Sequence, residues 1–115
     1  TPEADRVEHE LRQAVRFRAE GNFGRARVCA RRAAGWAVGP IYRLSTGDRP
    51  PANALTLLRW YRDHDRAPLP LRQAAGRLTT HVTRSHDQPY PEDPVEDAEM
   101  LVQALTTAAH EDQSG

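Results

Sequence analysis

Apolar residues recur every three or four positions along most of the chain, which is the spacing of one face of an α-helix. No segment alternates apolar and polar residues over a strand's length. The first periodic segment predicts a helix over residues 4–19, ended by Gly21 in the left-handed conformation. Its inward-facing positions are Val7, Leu11, Ala14, Val15 and Arg18.

The second periodic segment consists mostly of small side chains. It predicts a helix from Phe23 or Gly24 to about Leu44, with Asn22 as a possible cap. Its apolar stripe is Ala26, Ala30, Ala33, Ala37 and Ile41, flanked by Cys29, Trp36 and Leu44. Such small residues permit short distances between helices. Because proline removes a hydrogen bond and clashes with the preceding turn, we expect a kink or an early end at Gly39-Pro40.

Three more helices are predicted after the loop of residues 45–51. They cover residues 52–63, residues 71–83 and a last segment from Pro94 to about His110. Their inward positions are Ala54, Leu57, Leu58 and Tyr61; Leu71, Ala74, Ala75, Leu78 and Val82; and Val95, Ala98, Leu101, Val102, Leu105 and Ala109. Asp93 is the predicted N-cap of the last helix, and Glu96 completes a capping-box pattern.

This order of elements predicts an all-α fold, an antiparallel up-and-down bundle of four to five helices. The 115 residues fit a single domain, residues 1–115, and we expect fraying after about residue 110. The lone Cys29 forms no internal disulfide, and no apolar run reaches the roughly 20 residues that span a bilayer. These features predict a cytoplasmic protein without membrane association.

Charge is distributed unevenly although the formal net charge is zero. Residues 1–60 contain 11 arginines and 6 carboxylates, whereas residues 61–115 contain 5 arginines and 10 carboxylates. The strongest anion-binding candidates are Arg25, Arg27, Arg31 and Arg32, with Arg16 on the preceding helix. Arginine can bind phosphate in a bidentate manner, so this group predicts either a nucleic-acid contact or an ordinary solvated surface.

Two stretches resemble parts of HEPN domains. The alanine-rich second helix, GRARVCARRAAGWAV, is similar to the opening of that family, and PYPEDPVEDAEMLVQAL is similar to its tyrosine-proline loop and final helix. The resemblance covers roughly residues 5–109 and implies a bundle of four or five helices, often a homodimer. It also suggests a small nucleotidyltransferase as a partner. Some members of the family are non-catalytic modules that associate with nucleotides or with partner proteins.

In many HEPN domains an arginine, four to six residues and a histidine act in RNA cleavage. The resemblance places this role on Arg77 and His81, although only three residues separate them. Arg59 and His64 have the right separation but lie earlier in the chain than the family places the pair. An arginine can hold a phosphate's charge while a histidine moves the proton of an RNA 2′-hydroxyl. A solvated polar face explains the same residues.

The remaining candidates concern contacts and metals. Trp36, Trp60 and Tyr61 are either interface aromatics or core residues. The histidines and carboxylates lack a zinc-site spacing, so we expect no metal and no cofactor. The sequence therefore favours a non-catalytic HEPN-like module that binds a partner protein, a nucleotide or RNA. The alternatives are a metal-independent, toxin-like ribonuclease and a tetratricopeptide-like scaffold.

Overall fold

The fold is all-α, as the sequence predicts. A computed structural model describes residues 2–80 and 93–114, with side chains for residues 4–80 and 93–107. It contains five helices in these ranges: α1 (Pro2–Ala19), α2 (Phe23–Thr46), α3 (Ala54–Arg62), α4 (Leu69–Thr79) and α5 (Pro94–Ser114). The described ranges contain no strand and no helix long and apolar enough to cross a membrane.

Helix α2 is the centre of the bundle and packs against all four other helices. Consecutive helices also pack against each other, and α1 contacts α5. The core combines small residues of α2, such as Ala30, Ala34 and Val38, with larger side chains such as Leu58 and Leu101 from the helices around it. The alanine-rich composition of α2 follows from this position, because a helix surrounded by four neighbours has room only for short side chains.

Helices α2 and α3 come closest at Gly35. A Cβ atom at this position would lie 2.5 Å from both the Cβ and the carbonyl oxygen of Ala54, at the start of α3. Real Cβ contacts are essentially never that short. Glycine is therefore required at this crossing for a packing reason.

The turn before α2 uses the two residues that the sequence suggests. Gly21 has a φ of 81° after α1, and the side chain of Asn22 accepts a hydrogen bond from the Arg25 amide at 3.3 Å. At the other end, Gly47 has a φ of 77° and its amide donates to the Arg43 carbonyl at 2.8 Å. A left-handed glycine thus follows each of the first two helices.

Of the kink or early end expected at Gly39-Pro40, the early end is wrong, because the helix continues through Pro40 to Thr46, close to the predicted end near Leu44. Pro40 itself is exposed, whereas Val38 is buried and Ile41 and Tyr42 pack against the core. Packing on both sides of the proline therefore holds the two halves of α2 in one helix despite the lost hydrogen bond.

Other boundaries differ by a few residues. Helix α4 begins at Leu69, two residues before the prediction, because Pro70 is accommodated in its first turn. It ends at Thr79, while the predicted inward residue Val82 lies outside the described residues. The backbone of α5 is helical to Ser114, beyond the expected end near His110.

Most of the predicted inward positions are buried or partly buried, with two exceptions among the larger side chains. Val15 is 39% exposed and Leu44 is 68% exposed. Val15 lies at the edge of the α1 face, while Leu11 and Phe17 pack against the core. Leu44 lies near the end of α2, beyond its main contacts with the core. The side chain of Ala109 is outside the described residues.

Candidate anion-binding groove

An open groove lies between α2 and the beginning of α3. It has a volume of about 310 Å³ and is lined by Val28, Arg31, Arg32 and Trp36 of α2 and by residues 52–55. Its walls therefore combine two guanidinium groups, an indole ring and an exposed aliphatic side chain. The volume is at the lower end of the range for small-ligand sites, roughly 300–1,000 Å³.

Trp36 is fixed on the wall of this groove. Its Nε1 donates a hydrogen bond to the carbonyl of Ala52 at 3.3 Å, just before α3. The guanidinium carbon of Arg6, on α1, lies 4.4 Å from the centre of the indole ring, in a cation–π contact. Arg6 thus adds a third positive charge beside the indole, and the ring is held from two sides.

Arg31 connects the groove to the end of α4. Its Nε donates to the Leu78 carbonyl at 2.6 Å and its Nη2 donates to the Thr80 carbonyl at 3.1 Å. The Leu78 carbonyl lies in the last turn of α4, where backbone oxygens lack helical partners and carry partial negative charge, and Thr80 is the residue that follows the helix. Burial, followed by the like charges of Arg27 and Arg59, lowers the pKa of Arg31 from its usual value.

Arg32 is more exposed and more loosely held than Arg31. Its side chain is 53% exposed, and its Nη1 lies 3.9 Å from Glu10 of α1. At this distance the pair is a weak surface contact rather than a hydrogen bond. Arg32 therefore keeps most of its guanidinium donors available to a ligand in the groove.

The other three predicted anion-binding arginines are not among the groove-lining residues. Arg16 forms an exposed ion pair with Glu20 at 3.1 Å, and the guanidinium carbon of Arg25 lies 5.6 Å from the ring centre of Phe17. Arg27 is half-buried, and desolvation lowers its pKa from the usual value. The structure thus separates the five arginines: Arg31 and Arg32 line the groove, and the others lie elsewhere.

The first turn of α3 borders the groove on the side opposite α2. The Asn53 side chain accepts hydrogen bonds from the amides of Leu55 and Thr56 at 2.9 and 3.3 Å. Asn53 therefore caps α3, and the positive end of the helix dipole lies beside the groove. This end adds to the positive charge supplied by the arginines.

The arginine of the predicted Arg77–His81 pair has a structural partner. Arg77 Nη2 lies 2.8 Å from Asp97 Oδ1, and its Nε lies 3.1 Å from Asp97 Oδ2. Asp97 is only 4% exposed, so this is a bidentate ion pair between α4 and α5 in a partly buried place. His81 lies outside the described residues, and the pair stays a prediction.

The two residues of the other predicted pair, Arg59 and His64, lie in different surroundings. The imidazole of His64 stacks on Trp60, with ring centres 4.6 Å apart and an angle of 20° between the planes. Arg59 is exposed and is close enough to Arg31 to contribute to its lowered pKa. The structure shows no contact between Arg59 and His64 in the described part of the chain.

The three predicted interface aromatics occupy different environments. Tyr61 is 2% exposed and lies in the core, and burial raises the pKa of its hydroxyl. Trp60 is partly buried and meets the ring of Tyr42 edge to face, at 5.0 Å between ring centres. Trp36 is therefore the member of this group that lines the groove.

No group of three or more potential metal ligands occurs among the described residues. In the Asp63-His64-Asp65 run, Asp63 pairs with Arg62 at 3.1 Å and this ion pair lowers the pKa of Asp63. His81, His86 and Asp87, which are close together in the sequence, lie outside the described part of the chain.

Sequence reasoning missed two residues that shape these sites. Arg6 lies over Trp36 although the two belong to different helices, and nothing in the local pattern indicates this contact. Asp97, an acidic residue in the first turn of α5, was not predicted to be buried. It lies four residues before Leu101 and eight before Leu105, on the stripe that faces the core, and this spacing was an available signal.

The geometry defines an all-α helical bundle with a small, positively charged and partly aromatic groove. Comparisons with models of known families, with curated proteins and with solved structures gave no match. The assignment to HEPN domains therefore stays a prediction.

Proposed function

We propose that this protein is a non-catalytic helical module that binds single-stranded RNA through the groove beside Trp36. The observation that carries the proposal is the position of this indole: it is fixed on the groove wall, with Arg6 over the ring and Arg31 and Arg32 lining the same groove. Proteins that bind single strands commonly combine a positive groove for the backbone with an aromatic side chain on which a base stacks.

The size and charge of the groove favour a nucleotide unit over a peptide. About 310 Å³ accommodates one base with its sugar and phosphate, and the guanidinium of Arg32 is available to the phosphate oxygens. The nearby carboxylate of Glu10 is not among the groove-lining residues and lies 3.9 Å from Arg32, so it offsets only part of the charge of the three arginines. The groove therefore presents net positive charge to a ligand.

The absence of catalysis is part of the proposal. The bidentate bonds to Asp97 direct the Arg77 guanidinium toward α5, which supports a structural role for this arginine. A His81→Ala substitution combined with an RNA-cleavage assay tests this point. Cleavage by the wild-type protein that disappears in the variant would favour the ribonuclease alternative instead.

Binding is best measured by the anisotropy of a fluorescently labelled oligouridylate. We expect Arg32→Gln to weaken binding by about ten- to a hundredfold, since one charged hydrogen bond contributes roughly 1.5–3 kcal/mol. The matched control is Arg43→Gln, which removes the same charge from an exposed position near the end of α2 and should bind like wild type. Equal loss in both variants would indicate unspecific charge attraction.

A second measurement follows the indole itself. With Trp60 replaced by phenylalanine, Trp36 becomes the sole tryptophan, and stacking of a base should quench its fluorescence. The same titration is carried out in parallel with uridine monophosphate, the corresponding mononucleotide. Quenching by the mononucleotide at equal affinity would assign the groove to free nucleotides, and no quenching by either ligand would refute the proposal.

The wider assignment rests on the HEPN resemblance. We propose that the protein is a cytoplasmic homodimer with a small nucleotidyltransferase as its partner. Light scattering at several concentrations tests the dimer, and co-purification with a nucleotidyltransferase encoded next to it tests the partner. A monomer at all concentrations would refute the homodimer proposal. It would not bear on the RNA-binding groove, which the binding measurements test separately.

A further inference from the structure

Arg31 takes part in two contacts: it lines the groove, and it donates hydrogen bonds to the carbonyls at the end of α4. A guanidinium group has five N–H donors. The bonds to Leu78 and Thr80 use one from Nε and one from Nη2, so three donors remain for other partners. The same side chain can therefore hold the end of α4 and meet a ligand in the groove.

Arg31 and Arg32 differ in how they are held. Arg31 is fixed by two hydrogen bonds to the backbone at the end of another helix, whereas Arg32, among the described residues, is held by the 3.9 Å approach to Glu10 alone. A side chain that is already ordered loses less conformational entropy when it binds a ligand. Arg31 is thus preorganised, and its position depends on the conformation of residues 78–80.

We propose that the last turn of α4 holds Arg31 in the orientation in which it meets an RNA phosphate, so that ligand binding and the order of residues 78–80 stabilise one another. This inference rests on the proposed function and assigns Arg31 as a phosphate-binding residue of the same groove, whose orientation is fixed by the end of α4. Because such coupling is reciprocal, a ligand that contacts Arg31 must also stabilise the end of α4.

A pair of lysine substitutions tests the role of this fixed orientation. Arg31→Lys keeps the charge but loses the planar fork that bridges the two carbonyls. We expect it to weaken oligouridylate binding by about tenfold, within the usual range of coupling effects. Arg32→Lys should weaken binding less, because it keeps the charge offered to the phosphate and breaks no bridge to backbone carbonyls. Equal effects of the two substitutions in folded proteins would overturn the inference.

Hydrogen exchange of the wild-type protein provides a test that does not depend on a variant's folding. On saturation with oligouridylate, the amides of residues 78–80 should exchange more slowly. The amide of Gly47, which donates to Arg43 three helical turns beyond Trp36, serves as the control and should not change. Binding without slower exchange at residues 78–80 would overturn the inference and leave the proposed function standing; absence of binding would overturn both.

Discussion

The guanidinium of Arg77 binds both carboxylate oxygens of Asp97, at 2.8 Å from Nη2 to Oδ1 and 3.1 Å from Nε to Oδ2. This ion pair joins α4 to the first turns of α5, and Asp97 is almost completely buried. A second ion pair, from Arg18 to Asp93 at 2.7 Å, joins α1 to the start of the same helix. Two arginines from different helices therefore fix the beginning of α5.

We expect Asp97→Asn to lower the free energy of unfolding by about 3 kcal/mol, near the lower end for breaking a buried pair because Arg77 is partly exposed. Urea denaturation followed by circular dichroism measures the loss. The combined replacement Arg77→Met and Asp97→Leu removes both charges and should recover much of the stability. A double variant as unstable as the single one would show that packing around Asp97, rather than its charge, is responsible.

Replacing Gly35 by alanine should destabilise the fold, because the new Cβ meets the backbone and side chain of Ala54. We expect a loss of about 1–3 kcal/mol, the usual cost of overpacking. The matched control is Gly76→Ala, whose Cβ meets only the aliphatic part of Arg62 at 3.6 Å. Helix propensity should make the control more stable by up to about 1 kcal/mol. Similar losses in the two variants would contradict the close crossing at Gly35.

The sequence pattern was sufficient for the number and kind of the elements. Helical periodicity depends on which residues face the core, and the buried side chains of α3 are the predicted Leu57, Leu58 and Tyr61. The apolar stripe predicted that α2 continues to about Leu44, but local rules could not tell whether Pro40 interrupts the helix, because packing on both sides of the proline outweighs its local preference. That packing involves residues distant in the sequence.

The groove was only half predictable. The run of arginines on α2 includes Arg31 and Arg32. It includes Arg25 and Arg27 equally, but these two do not line the groove. What separates them is the position of each residue around the helix relative to α3 and α4. Arg31 lies four residues before Gly35, on the side where α2 meets α3, and the local sequence contains no information about that crossing.

Asp93 should contribute both a helix cap and an ion pair. Its Oδ1 accepts a hydrogen bond from the Val95 amide at 2.8 Å, while Oδ2 pairs with Arg18. We expect Asp93→Ala to cost about 1–2 kcal/mol of stability, the usual range for removing an N-cap. Asp93→Asn preserves the cap and removes only the charge, so it should cost less. Thermal unfolding of the two variants separates the contributions, and equal costs would assign the whole effect to the ion pair.

The buried thiol of Cys29 predicts a loss of stability at alkaline pH. Burial raises the pKa of this thiol above its value in the unfolded chain, about 8.5. Above that pH the unfolded thiol releases its proton while the folded one retains it, so the unfolded state binds fewer protons and the free energy of unfolding falls. Below it, both states are protonated and the thiol adds no pH dependence.

Urea titrations between about pH 8 and pH 9.5 test this prediction, because tyrosines ionise only near pH 10. The wild-type protein should lose stability over this interval, and Cys29→Ala should lose less over the same interval, whatever its absolute stability. Tyr61, whose pKa is also raised by burial, extends the decline to higher pH in both proteins. If the stability of wild type and of Cys29→Ala fell in parallel as the pH rises, the thiol would have the same pKa in the folded and unfolded states. The folded protein would then not shield this thiol from water.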